Sequence, residues 1–339
     1  MNLSDITIII PSYGRPKYAY RALKYWAQFE VDLHLVDGSD NPITNISETI
    51  KNPQTRYHHI NILSEVDRIK KILPLIKTKY TILSADDDFL LPESLSKCLA
   101  EIKKEDDIIS CYGQTLSFYK YENTTKFFYT DYKLNNYKNI SDNANERINK
   151  RMKDYVPSII YSLMSTDIFK NIFDVEDFHK FKFYASLELR ATLLVDYYGK
   201  SKTINDLLVL RNKDESPAKG RNNKNISFFR SLFLTNKKNF INDLIKSIKK
   251  RKNQNDRILK KTFVSAFRKY LFYTFKMFFL KRLKTLIINN ISILFFRKRT
   301  VNSKKHIDLN KLNFYCIEKN INLNKNDYDL IKNIFTIQK

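Results

Sequence analysis

Three carboxylates in a row, Asp86, Asp87 and Asp88, are the strongest chemical signal in this 339-residue chain. Consecutive carboxylates repel one another, and a divalent cation removes that repulsion. Mg2+ and Mn2+ prefer oxygen ligands and are commonly held by one or two carboxylates together with substrate phosphates. Such a cation neutralises charge that develops on a departing diphosphate. Extended-chain alternation sets Asp86 and Asp88 on one side and Asp87 on the other. Asp86 and Asp88 are therefore the candidate metal and ribose contacts, with Mn2+ or Mg2+ as the cofactor. The plainer alternative is an acidic turn or helix cap, because Leu91-Pro92-Glu93-Ser94 opens a helix. Position favours the chemistry, since the run follows directly on Tyr80-Thr81-Ile82-Leu83, which reads as a buried strand.

The elements that must position these carboxylates are legible upstream. Ile6 to Ile10 is an unbroken apolar and β-branched run, the pattern of a parallel strand covered on both faces, and it is expected to stop at Pro11. Ser12-Tyr13-Gly14-Arg15-Pro16 has loop composition, and Ala19, Leu23, Trp26 and Ala27 follow at helical spacing. A second strand, Val31 to Val36, runs into Asp37-Gly38-Ser39-Asp40. Strand, helix and strand make a βαβ unit, whose ligands bind at the carboxyl ends of the strands. A helix is expected from Ser64 to Ile76, before the strand that ends at the acidic run. The acidic run, residues 11–15 and Asp37 thus fall at one edge of one sheet.

The segments Ile8 to Pro16, Leu35 to Ser39 and Tyr80 to Asp88 resemble, in order and spacing, the three opening motifs of family 2-type GT-A glycosyltransferases. The similarity is closest to a bacterial branch of surface-polysaccharide clusters with a three-aspartate run, and it covers roughly residues 5–215. It implies an α/β, Rossmann-like GT-A nucleotide-sugar-binding domain with a mostly parallel central sheet. It further implies that Pro11, Ser12, Tyr13 and Arg15 line the nucleotide, that Asp37 bonds the base, and that Arg68 and Asp87 lie near the nucleotide. The donor would be a nucleoside-diphosphate sugar, and the acceptor a cell-surface or lipid-linked glycan precursor.

An inverting transferase needs a base for the acceptor hydroxyl, usually a carboxylate of the acceptor half. Glu188, in Phe183-Tyr184-Ala185-Ser186-Leu187-Glu188-Leu189-Arg190, resembles the family's acidic residue before a helix, a glycine, a strand and an arginine; Gly199, Leu207 to Leu210 and Arg211 supply those parts. The ordinary alternative is a surface ion pair with Arg190 or Lys182, and Glu176 and Asp177 stand in reserve. Where the family often has a histidine, this chain has Asn212-Lys213, so Arg211 or Lys213 is the expected positive charge near the diphosphate. The aromatic stretch Cys111 to Tyr137 reads as hairpin strands and the stretch Asp142 to Met152 as a short helix.

Charge divides the chain. Residues 221–305 hold 24 Lys and Arg against 2 Asp and Glu, while residues 1–220 are nearly balanced at 31 against 30. A boundary is placed near 214–220, which gives a GT-A domain over 1–220 (nucleotide-binding half 1–110, acceptor half 111–220) and a basic α-helical region over 221–339. Phe263, Phe267, Leu271, Phe275, Phe278 and Phe279 fall at helical spacing among Arg268, Lys269, Lys276, Lys281 and Arg282. Two readings of residues 225–300 stay open: helices resting on an anionic membrane surface, or helices packed on the catalytic domain with a solvated basic face. Nucleic acid ranks below both, because no nucleic-acid module accompanies the charge. The outsider functions are a non-catalytic basic membrane- or RNA-binding protein on a GT-A scaffold and a nucleotidyl or phosphoryl transferase. Cys98, Cys111 and Cys316 are too scattered for a disulfide framework or a zinc module, and no leader or membrane span is read. The expectation is a cytoplasmic protein, peripheral on the inner face of the plasma membrane if the first reading of 225–300 holds.

Overall fold

The computed structural model describes residues 3–46, 50, 52–122, 124–129, 136–153, 155, 159–175, 184–213, 237–249, 255–295 and 306–336, without the side chains of 184, 277, 278, 281–295 and 336. Glu176, Asp177, the loop at 214–220 and the start of the basic region at 225–236 lie outside them. Four parallel strands form the heart of the molecule: β1 (Ile6–Ser12), β2 (Asp32–Asp37), β3 (Thr55–His59) and β4 (Tyr80–Leu83), side by side in the order β3-β2-β1-β4. β1 runs one residue beyond Pro11, because Pro11 sits opposite Val36 and Ser12 opposite Asp37 in the parallel ladder. Alternate residues of the central strands face two separate clusters. Ile8, Ile10, Leu35 and Ile82 point into one, and Ile9, Val36 and Leu83 into the other. This is why the strands read as apolar runs without alternation.

Helix α1 (Pro16–Trp26) begins with a proline at its first position, where no amide hydrogen is needed, and covers the first face with Ala19, Ala22, Leu23 and Trp26. Helix α2 (Glu65–Ile72) covers the second face, capped by the Ser64 hydroxyl, which accepts from the Asp67 amide at 3.3 Å. After β4 the short β5 (Phe89–Leu90) leads into α3 (Pro92–Ile102), then into the hairpin of β6 (Ile108–Tyr121) and β7 (Thr124–Tyr129). There follow β8 (Lys138–Asn139), α4 (Ala144–Lys153), β9 (Leu163–Ser165), α5 (Thr166–Phe173), α6 (Tyr184–Tyr198) and the long β10 (Lys200–Asn212). β9 pairs antiparallel with both β4 and β6, and β10 pairs parallel with β6, so all join one sheet, of eleven strands among the described residues. The mixed sheet with a parallel centre is the α/β class expected.

The basic region is built into this body. Helices α7 (Lys237–Lys249) and α8 (Asp256–Phe295) send Phe240, Leu244, Ile248, Phe263 and Phe267 into the same cluster as Ile9 and Leu83. Farther on, β11 (Ile307–Asp308) pairs with β7, and α9 (Leu312–Glu318) and α10 (Lys325–Thr336) pack on the first cluster. Among the described residues no helix is long and apolar enough to cross a membrane. The three cysteines are free and buried.

Candidate active site

The two strands that separate in connection order, β1 and β4, end side by side, with their outgoing loops at the switch point beside which doubly wound sheets take ligands. Hydrogen bonds lock the loops together there. The Ser84 amide donates to the Ile9 carbonyl at 2.9 Å, and the Gly38 amide donates to the Ser12 carbonyl at 2.9 Å. Gly14 has a φ of 64°, a left-handed conformation that suits glycine, and its amide donates to Ser39 Oγ at 2.8 Å.

The acidic run meets the first loop. Ser12 Oγ donates to Asp86 Oδ2 at 2.8 Å, Arg15 Nη1 to Asp86 Oδ1 at 2.9 Å, and Arg15 Nη2 to Asp87 Oδ2 at 2.7 Å. The expected alternation fails. Residues 85–88 form a tight turn, with the Asp88 amide reaching the Ala85 carbonyl at 3.4 Å, so Asp86 and Asp87 share one guanidinium. Asp88 turns instead to β10, where its Oδ1 accepts from the Asn212 amide at 2.9 Å and its Oδ2 lies 3.7 Å from Arg211 Nε. Burial pushes the Asp86 carboxyl up to about 6 against the pull of Arg15. Burial likewise pushes Asp88 up to about 6, against Arg211, the Asn212 amide and Lys213. Both cationic residues expected beside this edge therefore act on Asp88.

Arg21, which sequence reading missed, donates to the Asp87 carbonyl at 2.6 Å and stacks over the Tyr18 and Phe89 rings. Its signal was available: it lies six residues after Arg15 on the helix whose amino end faces the carboxylates.

The second loop is equally ordered. Asp37 is fully buried and committed to protein partners: Oδ1 accepts from the Ser39 amide at 2.9 Å and from Ser39 Oγ at 2.5 Å, and Oδ2 accepts from Tyr57 Oη at 2.8 Å. Burial, together with the Asp37 charge, pushes the Tyr57 hydroxyl up to about 12. Arg68 reaches this corner from α2, its Nη1 donating to the carbonyls of Ile62 at 2.5 Å and Leu63 at 2.9 Å, with its guanidinium 5.9 Å from the Tyr13 ring. Gly38 makes room for it, because a Cβ there would stand 2.6 Å from the Arg68 guanidinium carbon and 2.7 Å from the Ile62 carbonyl oxygen. Among the described residues the buried Arg68 Nε has no acceptor. Pro11 is buried within β1, opposite Val36.

Ser12, Tyr13, Arg15, Asp37, Arg68, Asp86, Asp87, Asp88 and Arg211 thus line one rim. Glu188 lies one turn inside α6 rather than at its start, and its charge, after burial, raises the hydroxyls of Tyr155 and Tyr270. The turn Ile159–Tyr161 packs against both α6 and β4, and the Tyr161 ring centroid lies 5.8 Å from the Arg211 guanidinium.

No family model matches the sequence, and no curated protein is similar to it in sequence. Likeness is found in solved structures. The crystal structure of S. aureus TarS aligns with a TM-score of 0.51 at 10% identity, over 78% of this chain and 43% of that one. The crystal structure of S. aureus TarS 1-349 in complex with UDP-GlcNAc aligns with a TM-score of 0.50 at 11% identity, over 78% of this chain and 72% of that one. The chain therefore spans less than half the length of the first of these structures. At such identities the shared property is architecture: this chain has the α/β fold of GT-A type.

Proposed function

We propose that the protein is a nucleotide-sugar-dependent glycosyltransferase, inverting and assisted by a divalent cation, that acts on a cell-surface or lipid-linked glycan precursor. One observation carries the reading: the aspartate turn after β4 is hydrogen-bonded to the loop after β1, at the switch point of a GT-A sheet. The same fold in TarS has been crystallised with UDP-GlcNAc.

The donor set fits a hard cation. The candidate ligands are oxygens only: Asp86 is a buried carboxylate and Asp88 a half-buried one, and desolvation penalises the charged form of both. Among the described residues no three acidic, imidazole or thiol side chains are grouped so as to hold an ion by themselves. An ion here would depend on substrate phosphates for its remaining ligands, the usual arrangement for Mg2+ or Mn2+. Asp86 and Asp88, whose oxygens are engaged by Ser12 and Arg15 and by the Asn212 amide and Arg211, would have to give up part of those contacts to hold the ion, which would neutralise charge on the leaving diphosphate. Arg15 and Arg211 add fixed positive charge, and the amino end of α1 adds the partial positive charge of the helix dipole. Tyr13 and Arg68 flank the base, and Asp37 sets the second loop through Ser39 and Tyr57. Glu188 takes the acceptor proton.

A thermal-shift series of nucleoside diphosphates and their sugars, with and without Mn2+, tests this. A matching donor at about one hundred times its Kd stabilises by about 2.7 kcal/mol, a rise of several degrees. Asp88→Asn keeps an acceptor for the Asn212 amide and is expected to lose the Mn2+-dependent part of the shift. Stabilisation by no diphosphate, or an unchanged shift in the variant, would count against the site.

A further inference from the structure

Helix α8 carries two apolar stripes on opposite sides. Leu259, Phe263, Ala266, Phe267, Tyr270 and Leu271 are buried against the body. Phe272, Phe275 and Phe279 are 72%, 70% and 57% exposed. At roughly 100° per residue these three lie about 120–180° around the helix from Phe263. A helix that only packed on the catalytic body would have no use for the outer stripe. Exposed cations accompany it: Arg257, Lys260, Lys261, Arg268, Lys269 and Lys276. The sequence has no acidic residue between Asp256 and Asp308. Where α7 meets α8, a crevice of about 750 Å³ is lined by Lys246, Lys249, Arg257 and Lys260 as well as Asp256.

We propose that the outer face of α8 is a docking surface for an anionic lipid bilayer, with Phe272, Phe275 and Phe279 entering the acyl boundary and the lysines and arginines meeting the headgroups. Bulky apolar side chains beside basic ones are what an interfacial helix needs, and the acid-free stretch complements an anionic surface. A second copy of this chain is disfavoured, because it would bring its own cations against these. A polyanion such as RNA would use the charge but not three phenyl rings on one side of a helix. The inner face of α8 carries Tyr270, which feels the charge of Glu188. A bilayer on the outer face would therefore lie about one helix diameter, ~10 Å, from the acceptor half. This last step, delivery of a lipid-linked acceptor, rests on the transferase reading; the docking itself does not.

Co-sedimentation of the full chain with vesicles separates the two. With equal parts phosphatidylcholine and phosphatidylglycerol the protein is expected to pellet at low salt, at least about tenfold more than with phosphatidylcholine alone. Phe272→Ser, Phe275→Ser and Phe279→Ser together should lower that partition about tenfold or more at an unchanged melting temperature, because the rings are exposed. Lys261→Gln, Arg268→Gln and Lys276→Gln together should reduce the preference for phosphatidylglycerol. No binding to the mixed vesicles overturns the proposal, as does wild-type binding by the triple serine variant. A dimer in sedimentation velocity that the serine variant dissolves, without vesicle binding, assigns the face to a second copy. RNA binding indifferent to the serine substitutions, again without vesicle binding, assigns it to a polyanion. Donor binding in the thermal-shift series is unaffected by any of these outcomes, so failure of one reading leaves the other standing.

Discussion

At the scale of single residues, Arg15 does what a cation would do. It bonds Asp86 and Asp87 at once, and the attraction holds its own guanidinium above the ordinary arginine range despite burial. Arg15→Ala leaves both carboxylates short of a donor, at a cost of about 1 to 3 kcal/mol. The expected result is a melting temperature a few degrees lower in chelator and a larger Mn2+-induced rise than in the wild type. Equal rises in both proteins would refute the exchange of guanidinium for metal. The three aspartates were legible because carboxylates are rarely consecutive after a buried strand. Their partners were not. Tight turning of residues 85–88 reverses the alternation expected of an extended chain, and Asp37 is held by Tyr57, a residue on a strand that sequence reading did not find.

That strand shows what limits legibility at the scale of elements. β3 reads Thr-Arg-Tyr-His-His, lies at the end of the sheet and buries only Thr55 outright, so it has no apolar run to reveal it. The same reason hides the first half of β10, which is polar where it pairs with β6 and β8, while Leu207 to Leu210 stood out. β1, β2 and β4, buried on both faces, were readable nearly to the residue. The β2–β3 pair has its own chemistry. His34 and His58 stack with ring centroids 5.0 Å apart and share a hydrogen bond at 2.9 Å, beside Arg56 and Asp32. Burial, with the charges of His34 and Arg56, pushes the His58 imidazole down to about 4 from 6.5. The unfolded chain thus binds a proton that the folded chain refuses. The stability this contributes is full above about 6.5 and is lost as pH falls through about 4. Melting temperature should fall across that window, and His58→Gln should flatten the fall. A variant profile as steep as the wild type's would remove His58 as its cause.

On the scale of the whole molecule, charge alone does not decide packing. Composition leaves residues 225–300 open between helices resting on a membrane and helices packed on the body, and α7 and the first half of α8 complete the cluster that backs the central sheet. Acid depletion records only what lies on the outside of these helices. Phe267 is fully buried, so Phe267→Ala should cost about 3 to 5 kcal/mol, as for any core phenylalanine. Chemical denaturation should show one cooperative transition at lower denaturant; a loss under 1 kcal/mol (about the cost of a surface change) would mean the helix is only leaning on the body. The tail is tied in elsewhere too. Helix α3, which starts just past the aspartate turn, has no side-chain cap of its own. Its first amides, on Glu93 and Ser94, donate to Asp327 at 3.3 and 3.2 Å, and the Ser94 hydroxyl donates to the same carboxylate at 2.8 Å. A nascent chain emerging from the ribosome therefore carries the helix beyond its donor-side turn unsealed until Asp327, 233 residues after Ser94, has been synthesised.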